Sequence, residues 1–349
     1  MKKNILVAFV ILNLFIPSKV FSWKDITIKG KNYPSEKVFL REIKSQYDLI
    51  EKKLISSNES EIQFKVRAKD ENLPDIIELQ YQGSKSVGLL NENNVKYINY
   101  GVPLLFATYG ILFWDWGTVD GFRVRDEGWF GPNTYAGGAD KFAHMYSHFL
   151  INRASYDLYR SNGLSHQQSL KHSFILASTV GLLIEVGDGI SHYGFAVNDL
   201  ISDMVGVGLG HLLNSNPYLD ELIGFQLYWW NNTKDPEHKG KKFNDPIDDY
   251  NNQKYIINLR FAAIPFLRSN YLTRYINFDT GMYSRGTIEP GSSTASSART
   301  IYYGLSLNIT QLLTDLFPKS DYAYYGSRVA KYYQPPGTGF AADKWTDHD

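Results

Sequence analysis

The sequence predicts an α+β protein, a membrane-associated α-helical bundle followed by a small antiparallel β region. Three observations carry this. Between Asp140 and Gly210, polar residues recur every three or four positions within otherwise apolar segments, the spacing that gathers side chains on one helix face. Between Lys254 and Thr310, apolar and polar residues alternate, as in strands with one buried face. The tract Asn231–Asp249, rich in Asn, Asp, Lys and Pro, separates the two patterns and reads as a linker.

Met1-Lys2-Lys3, the apolar Ile5–Ile16 and the close Val20-Phe21-Ser22 read as a secretory signal over residues 1–22. The apolar run is shorter than the ~20 residues that cross a bilayer. Residues 23–95 form a small N-terminal α/β region. There Val38, Leu40, Ile43, Tyr47, Ile50 and Leu54 predict a helix over 35–55, and alternation in Glu61–Arg67 and Ile76–Tyr81 predicts two strands.

The bundle is expected over 96–230. Tyr97–Trp114 is nearly free of charge and suits either a membrane-buried helix or a fully buried core helix. The loop from Trp114 to Gly138 is dense in Trp, Phe, Gly and charge; long irregular loops are often functional. Arg123 or Arg125 is placed there to meet an anion or a carboxylate.

Three helices follow. Asp140, His144 and His148 share a face of the first. The second runs from near Ser165 to Glu185-Val186-Gly187-Asp188-Gly189, with Glu185 and Asp188 pointing the same way and glycines ending it. The third begins near Asn198 and lines up Asp199, Asp203, Gly206 and Gly210, whose glycines permit close packing. Short connections make such helices antiparallel. Asp140, His144, Glu185, Asp188, Asp199 and Asp203 are therefore expected at one end of the bundle. Glu185 and Asp188 lie at a helix C-terminus, where the dipole disfavours negative charge, so a cation, a histidinium or a polar network must favour them.

In order and spacing, Asp140-Lys141-x-x-His144, Glu185-x-x-Asp188, Asn198-Asp199 with Asp203, and Gly206-x-x-x-Gly210 resemble the YfiM-like family of envelope proteins of unknown function. The pattern is more distantly similar to the VanZ-like membrane proteins. The resemblance spans roughly Tyr97 to Asn214, with a weaker stretch at Asp249–Tyr255. It implies location and architecture more than chemistry.

Two readings of the cluster stay open. In one, Asp140, His144, Asp199 and Asp203 bind a divalent metal of the Zn²⁺, Mn²⁺ or Fe²⁺ kind. Glu185 and Asp188 then serve catalysis in a hydrolase acting on an envelope lipid or other ester or phosphoester. In the other, Asp140 and Asp199 cap helices, His144 bonds a carboxylate, and the cluster only locks the helices together. His148 is a second ligand or a satisfied core histidine.

Residues 254–349 form the β region, with strands at Lys254–Phe261, Arg274–Ser284 and Arg299–Thr310 and a hairpin loop at Thr287–Ser297. Three or four strands cannot close a membrane barrel, which takes about eight.

Composition sets the remaining bounds. Basic and acidic residues balance at 36 each, which leaves no electrostatic footprint for nucleic acid; the expected partner is a membrane lipid or another envelope component. The absence of cysteine excludes disulfides, thiolate metal sites and a lipidated N-terminal cysteine. In this the chain departs from YfiM-like members that are lipoproteins. Aromatics at 15% suit a membrane interface and β-rich proteins alike. The expected location is exported, in the cell envelope, at the outer membrane or a periplasmic membrane face.

Overall fold

A computed structural model describes residues 24–31, 49–57, 61–68, 76–80, 95–131, 134–162, 164–229, 249–285, 298–317 and 321–345. The expected signal segment, the hairpin loop 287–297 and residues 231–248 of the expected linker lie outside the described residues. The chain divides into two compact units, Met1–Gln82 and Gly83–Asp349.

The first unit is built on a sheet of order β2-β3-β1-β4, comprising β1 (Lys24–Lys31), β2 (Leu49–Ser57), β3 (Glu61–Ala68) and β4 (Ile76–Gln80). β1 is antiparallel to β3 and parallel to β4. Ile28 and Phe64 face each other across β1 and β3 and are buried. The helix expected over 35–55 is corrected where it is described, since Leu49–Ser57 pairs along β3. Cross-strand partners outweigh a local apolar period there.

The second unit holds α1 (Val95–Phe113), α2 (Ala139–Ser161), α3 (His166–Gly189) and α4 (Val197–Ser215). α3 opens with a capping box in which Ser165 Oγ accepts from the Gln168 amide and Gln168 Oε1 accepts from the Ser165 amide, satisfying two otherwise unpaired donors. α2 packs against α3 and, most closely, against α4. A Cβ added at Gly206 would lie 2.0 Å from the Met145 carbonyl oxygen, so a glycine sets that approach. The Trp116 indole fills the space over Gly110 of α1 and Gly187 of α3, where added Cβ atoms would lie 2.3 and 2.2 Å from it.

These helices bury polar residues beside apolar ones such as Leu176, Val180, Val207 and Leu213, and leave other apolar residues exposed. On α4 the buried positions include Asp199, Ser202, Asp203 and Asn214, while Val197, Ile201, Val205 and Leu212 are 45–50% exposed. On α3 Ser169, Ser173 and Glu185 are inside, and Phe174, Ile175, Leu182 and Val186 are outside. On α1 Tyr97, Tyr100, Leu104, Leu105, Ile111 and Leu112 form an exposed stripe. Among the described helices α3 is long and apolar enough to cross a membrane, over His166–Asp188, and half of that window is buried within the protein. α1 falls short because Lys96, Asn99 and its tyrosines dilute the apolar run.

Beyond α4 come the short helix α5 (Pro217–Leu222), β7 (Ile223–Trp229), β8 (Gln253–Arg260), the short helix α6 (Pro265–Arg268), β9 (Ile276–Arg285), β10 (Ala298–Leu307), α7 (Ile309–Leu316), α8 (Asp321–Ala330) and β11 (Gly339–Trp345). The strands form an antiparallel sheet of order β11-β10-β9-β8-β7. Three of the strands match the expected ones. β7 and β11 are additions, and β7 draws the sheet from both sides of the expected linker. On β10 the alternation is realised with Thr300, Tyr302 and Ser306 buried and Ile301, Tyr303, Leu305 and Leu307 exposed, so this strand turns aliphatic residues outward.

Tyr146 and Phe149 of α2 pack with Phe225 of β7 and Tyr255 of β8. Nearby, Asp220 receives Arg153 at 2.5 Å and Lys331 at 2.6 Å. Helices and sheet are thereby one packed body.

Candidate functional site

The start of α2 is set by a tight turn over Tyr135–Gly138, with Ala136 at φ 48° and Gly138 at φ 86°. That left-handed backbone suits glycine. A Cβ at Gly138 would lie 2.6 Å from the Trp129 carbonyl oxygen, so the preceding loop lies directly across the helix start. The loop thereby delivers Glu127 beside Asp140 and Lys141. Its other anchors are β5 (Val124–Arg125) paired with β6 (Phe195–Ala196) and Asn198 Nδ2 donating to the Gly128 carbonyl at 2.7 Å.

Two groups of ionisable side chains form here. In the first, the buried Lys141 ammonium contacts Asp140 Oδ2 at 2.5 Å, Asp199 Oδ1 at 2.6 Å and Glu127 Oε2 at 3.2 Å. Burial pushes the Asp140 carboxyl up to about 7 against the pull of Lys141, and raises Glu127 as well. The three carboxylates hold Lys141 firmly protonated against the cost of its burial.

The second group begins one turn further along α2. His144 Nδ1 lies 2.9 Å from Asp203 Oδ1, and His148 Nδ1 lies 2.7 Å from the same oxygen and 3.0 Å from the His144 carbonyl. Glu185 reaches in from the end of α3, with Oε1 3.7 Å from His144 Nδ1 and Oε2 accepting from the Ala196 amide at 3.1 Å. Burial drives the Glu185 carboxyl up to about 9, although His144 opposes it. Burial also acts against charge on His144 and Asp203, yet their mutual attraction wins: His144 is raised well above 6.5, and Asp203, helped by His148, is held below its usual range. An ion pair thus stands beside a carboxyl that is neutral at pH 7. Asp188 is set apart by Trp116 Nε1, which donates to Asp188 Oδ1 at 2.8 Å, while burial raises Asp188 to about 7.

The start of α2, the end of α3 and the start of α4 therefore meet. Asp140 and Asp199 do not cap their helices, because the cap positions are Gly138 and Ala196; both carboxylates face Lys141. Arg123 is exposed, and Arg125 Nη1 reaches the Tyr193 carbonyl at 3.5 Å. Sequence reasoning assigned no role to Glu127, Lys141 or Trp116. Lys141 follows Asp140 directly and so falls off the four-residue face, while Glu127 and Trp116 arrive from a loop that has no period. Three triads have donor atoms close enough to share an ion: His144, His148 and Asp203; His144, Glu185 and Asp199; and Glu127, Asp140 and Asp199.

Residues 126–215 match a family model described as a predicted periplasmic lipoprotein (DUF2279). The matched stretch contains every member of both groups and ends with α4. It agrees with an exported envelope protein. No curated protein and no solved structure matches the chain.

Proposed function

We propose that this chain is a membrane-associated protein of the cell envelope, whose second unit turns apolar residues toward lipid and closes a polar network inside. The carrying observation is the set of apolar residues that α4 and β10 expose beside buried polar ones. Val197, Ile201, Val205 and Leu212 on α4, and Ile301, Tyr303, Leu305 and Leu307 on β10, are exposed, while Asp199, Asp203, Thr300 and Ser306 are not. A protein surrounded by water gains by burying such apolar groups, at roughly 25 cal/mol per Å². Against lipid that gain vanishes, and buried polar groups that bond one another become the favourable interior. The periplasmic description of the family matched at 126–215 supports the envelope part of the reading. The narrower YfiM-like affiliation rests on the motifs from Asp140 to Gly210.

Cell fractionation tests the reading. The chain is expected in the membrane fraction, resisting high salt and released by detergent. Recovery of the mature protein in the periplasmic extract without detergent would overturn it.

A further inference from the structure

The two ionisable groups differ in what they hold. Around Lys141 each carboxylate contacts the ammonium, so that group holds a cation already, although Asp140 Oδ1 makes no hydrogen bond. In the second group three buried atoms make no hydrogen bond: His148 Nε2, Asp203 Oδ2 and Glu185 Oε1. The side chains that carry them are about 1% exposed or less. Leaving a buried polar group unpaired is destabilising, and here His148 Nε2 and Asp203 Oδ2 border one gap at Gly181.

Histidine chemistry fixes what the open atoms are. His148 Nδ1 faces only acceptors, Asp203 Oδ1 and the His144 carbonyl, so Nδ1 carries a proton, and a metal ion would take the Nε2 position by displacing any proton there. His144 Nδ1 likewise faces Asp203 Oδ1. An imidazole whose Nδ1–H is tied to a carboxylate or carbonyl is the arrangement that orients a metal ligand. The space these atoms border is kept open by Gly181 of α3, where a Cβ would lie 3.0 Å from Asp203 Oδ2 and 3.2 Å from His148 Nε2. Glu185 stands one turn further along the same helix.

We propose that His144, His148 and Asp203 form a site for one divalent transition-metal ion between α2 and α4, with Glu185 of α3 beside His144. Two imidazoles and a carboxylate suit Zn²⁺, Mn²⁺ or Fe²⁺; Ca²⁺ prefers an all-oxygen shell. Asp140 and Asp199, which the spacing alone nominated as ligands, both contact Lys141, and Asp199 also lies within reach of His144 and Glu185. The ion would satisfy His148 Nε2 and Asp203 Oδ2 together and tie α2 to α4. The assignment does not depend on membrane association.

Metal uptake by the full-length protein in detergent, stripped with a chelator and dialysed, tests it. Titration with Zn²⁺, followed by calorimetry and elemental analysis, is expected to give one equivalent that excess Ca²⁺ does not displace. His148→Ala and Asp203→Asn should each weaken binding at least tenfold, while Asp140→Asn stays within about threefold. Gly181→Ala, which removes no ligand, should also lose affinity by filling the gap. Co²⁺ bound to the wild type should show the visible ligand-field bands of an imidazole-bound ion, a readout that stands even if a variant fails to fold. Absence of stoichiometric uptake, a Co²⁺ spectrum matching the free aquo ion, or full binding by both His148→Ala and Asp203→Asn would overturn the proposal. A loss confined to Asp140→Asn would also overturn it, by moving the ion to the Lys141 group.

Discussion

Asp279 shows at the scale of one residue how this protein manages charge away from the helix ends. It sits on the buried face of β9, where Oδ1 accepts from Ser306 Oγ at 3.0 Å and Oδ2 accepts from Gln334 Nε2 at 2.9 Å. Burial still raises its carboxyl from 3.8 to about 6, because two neutral donors do not replace the water that was lost. With the folded value above the unfolded one, its contribution to stability is fully present below about pH 4 and is lost as pH rises through about 6. The difference amounts to roughly 2–3 kcal/mol. Asp279→Asn keeps the shape and cannot ionise, so its melting temperature should gain on the wild type more at pH 7 than at pH 4. An offset equal at both pH values would show that Asp279 is not charged at a cost in the fold. At this scale the sequence was partly legible. The four-residue spacing of Asp140, His144 and His148 put the right residues on one face, but no pattern announced which carboxylates a neighbouring ammonium would claim. That division depends on Glu127, brought in by a loop, and on the rotamer of Lys141.

At the scale of the element, the pairing of α2 with α4 is decided by glycine. Gly206 meets the Met145 backbone, whereas an added Cβ at Gly208 would meet nothing within 4 Å. Gly206→Ala must therefore push two helices apart, at a cost of about 1–3 kcal/mol. Gly208→Ala should be neutral or stabilise by up to about 1 kcal/mol through helix propensity. Thermal melts of the two variants in the same detergent make the comparison, and equal effects would mean that the helices are not in contact at Gly206. Helix limits were readable because they are local: the Ser165 capping box opens α3, and periodicity places the starts of α2 and α4 within a residue or two. The misses are non-local. Leu49–Ser57 carries a helical period yet pairs with β3. β7 follows α5 directly and reads as more of the bundle, and its identity as a strand comes from β8, far along the chain.

At the scale of the whole molecule, the exposed apolar residues make opposite predictions for water and for lipid. Val205 on α4 and Leu305 on β10 are about half exposed, at 49% and 48%, and neither belongs to the buried clusters of the second unit. If water covered them, an aspartate at either place would be tolerated within about 0.5 kcal/mol, as at most surface positions, and would add solubility. If lipid covers them, a charge placed there costs about 2.5–3.5 kcal/mol at depth and less near the headgroups, and the penalty falls on the membrane-bound state alone. Val205→Asp and Leu305→Asp should accordingly fold like the wild type in detergent, by circular dichroism and melting temperature. Both should partition less into lipid vesicles in a flotation assay, the double variant least of all. The two sites lie on different elements, so a deficit in only one identifies which face meets the bilayer. Vesicle binding by the double variant equal to that of the wild type would leave both faces without a lipid contact and assign the exposed apolar residues to a protein partner.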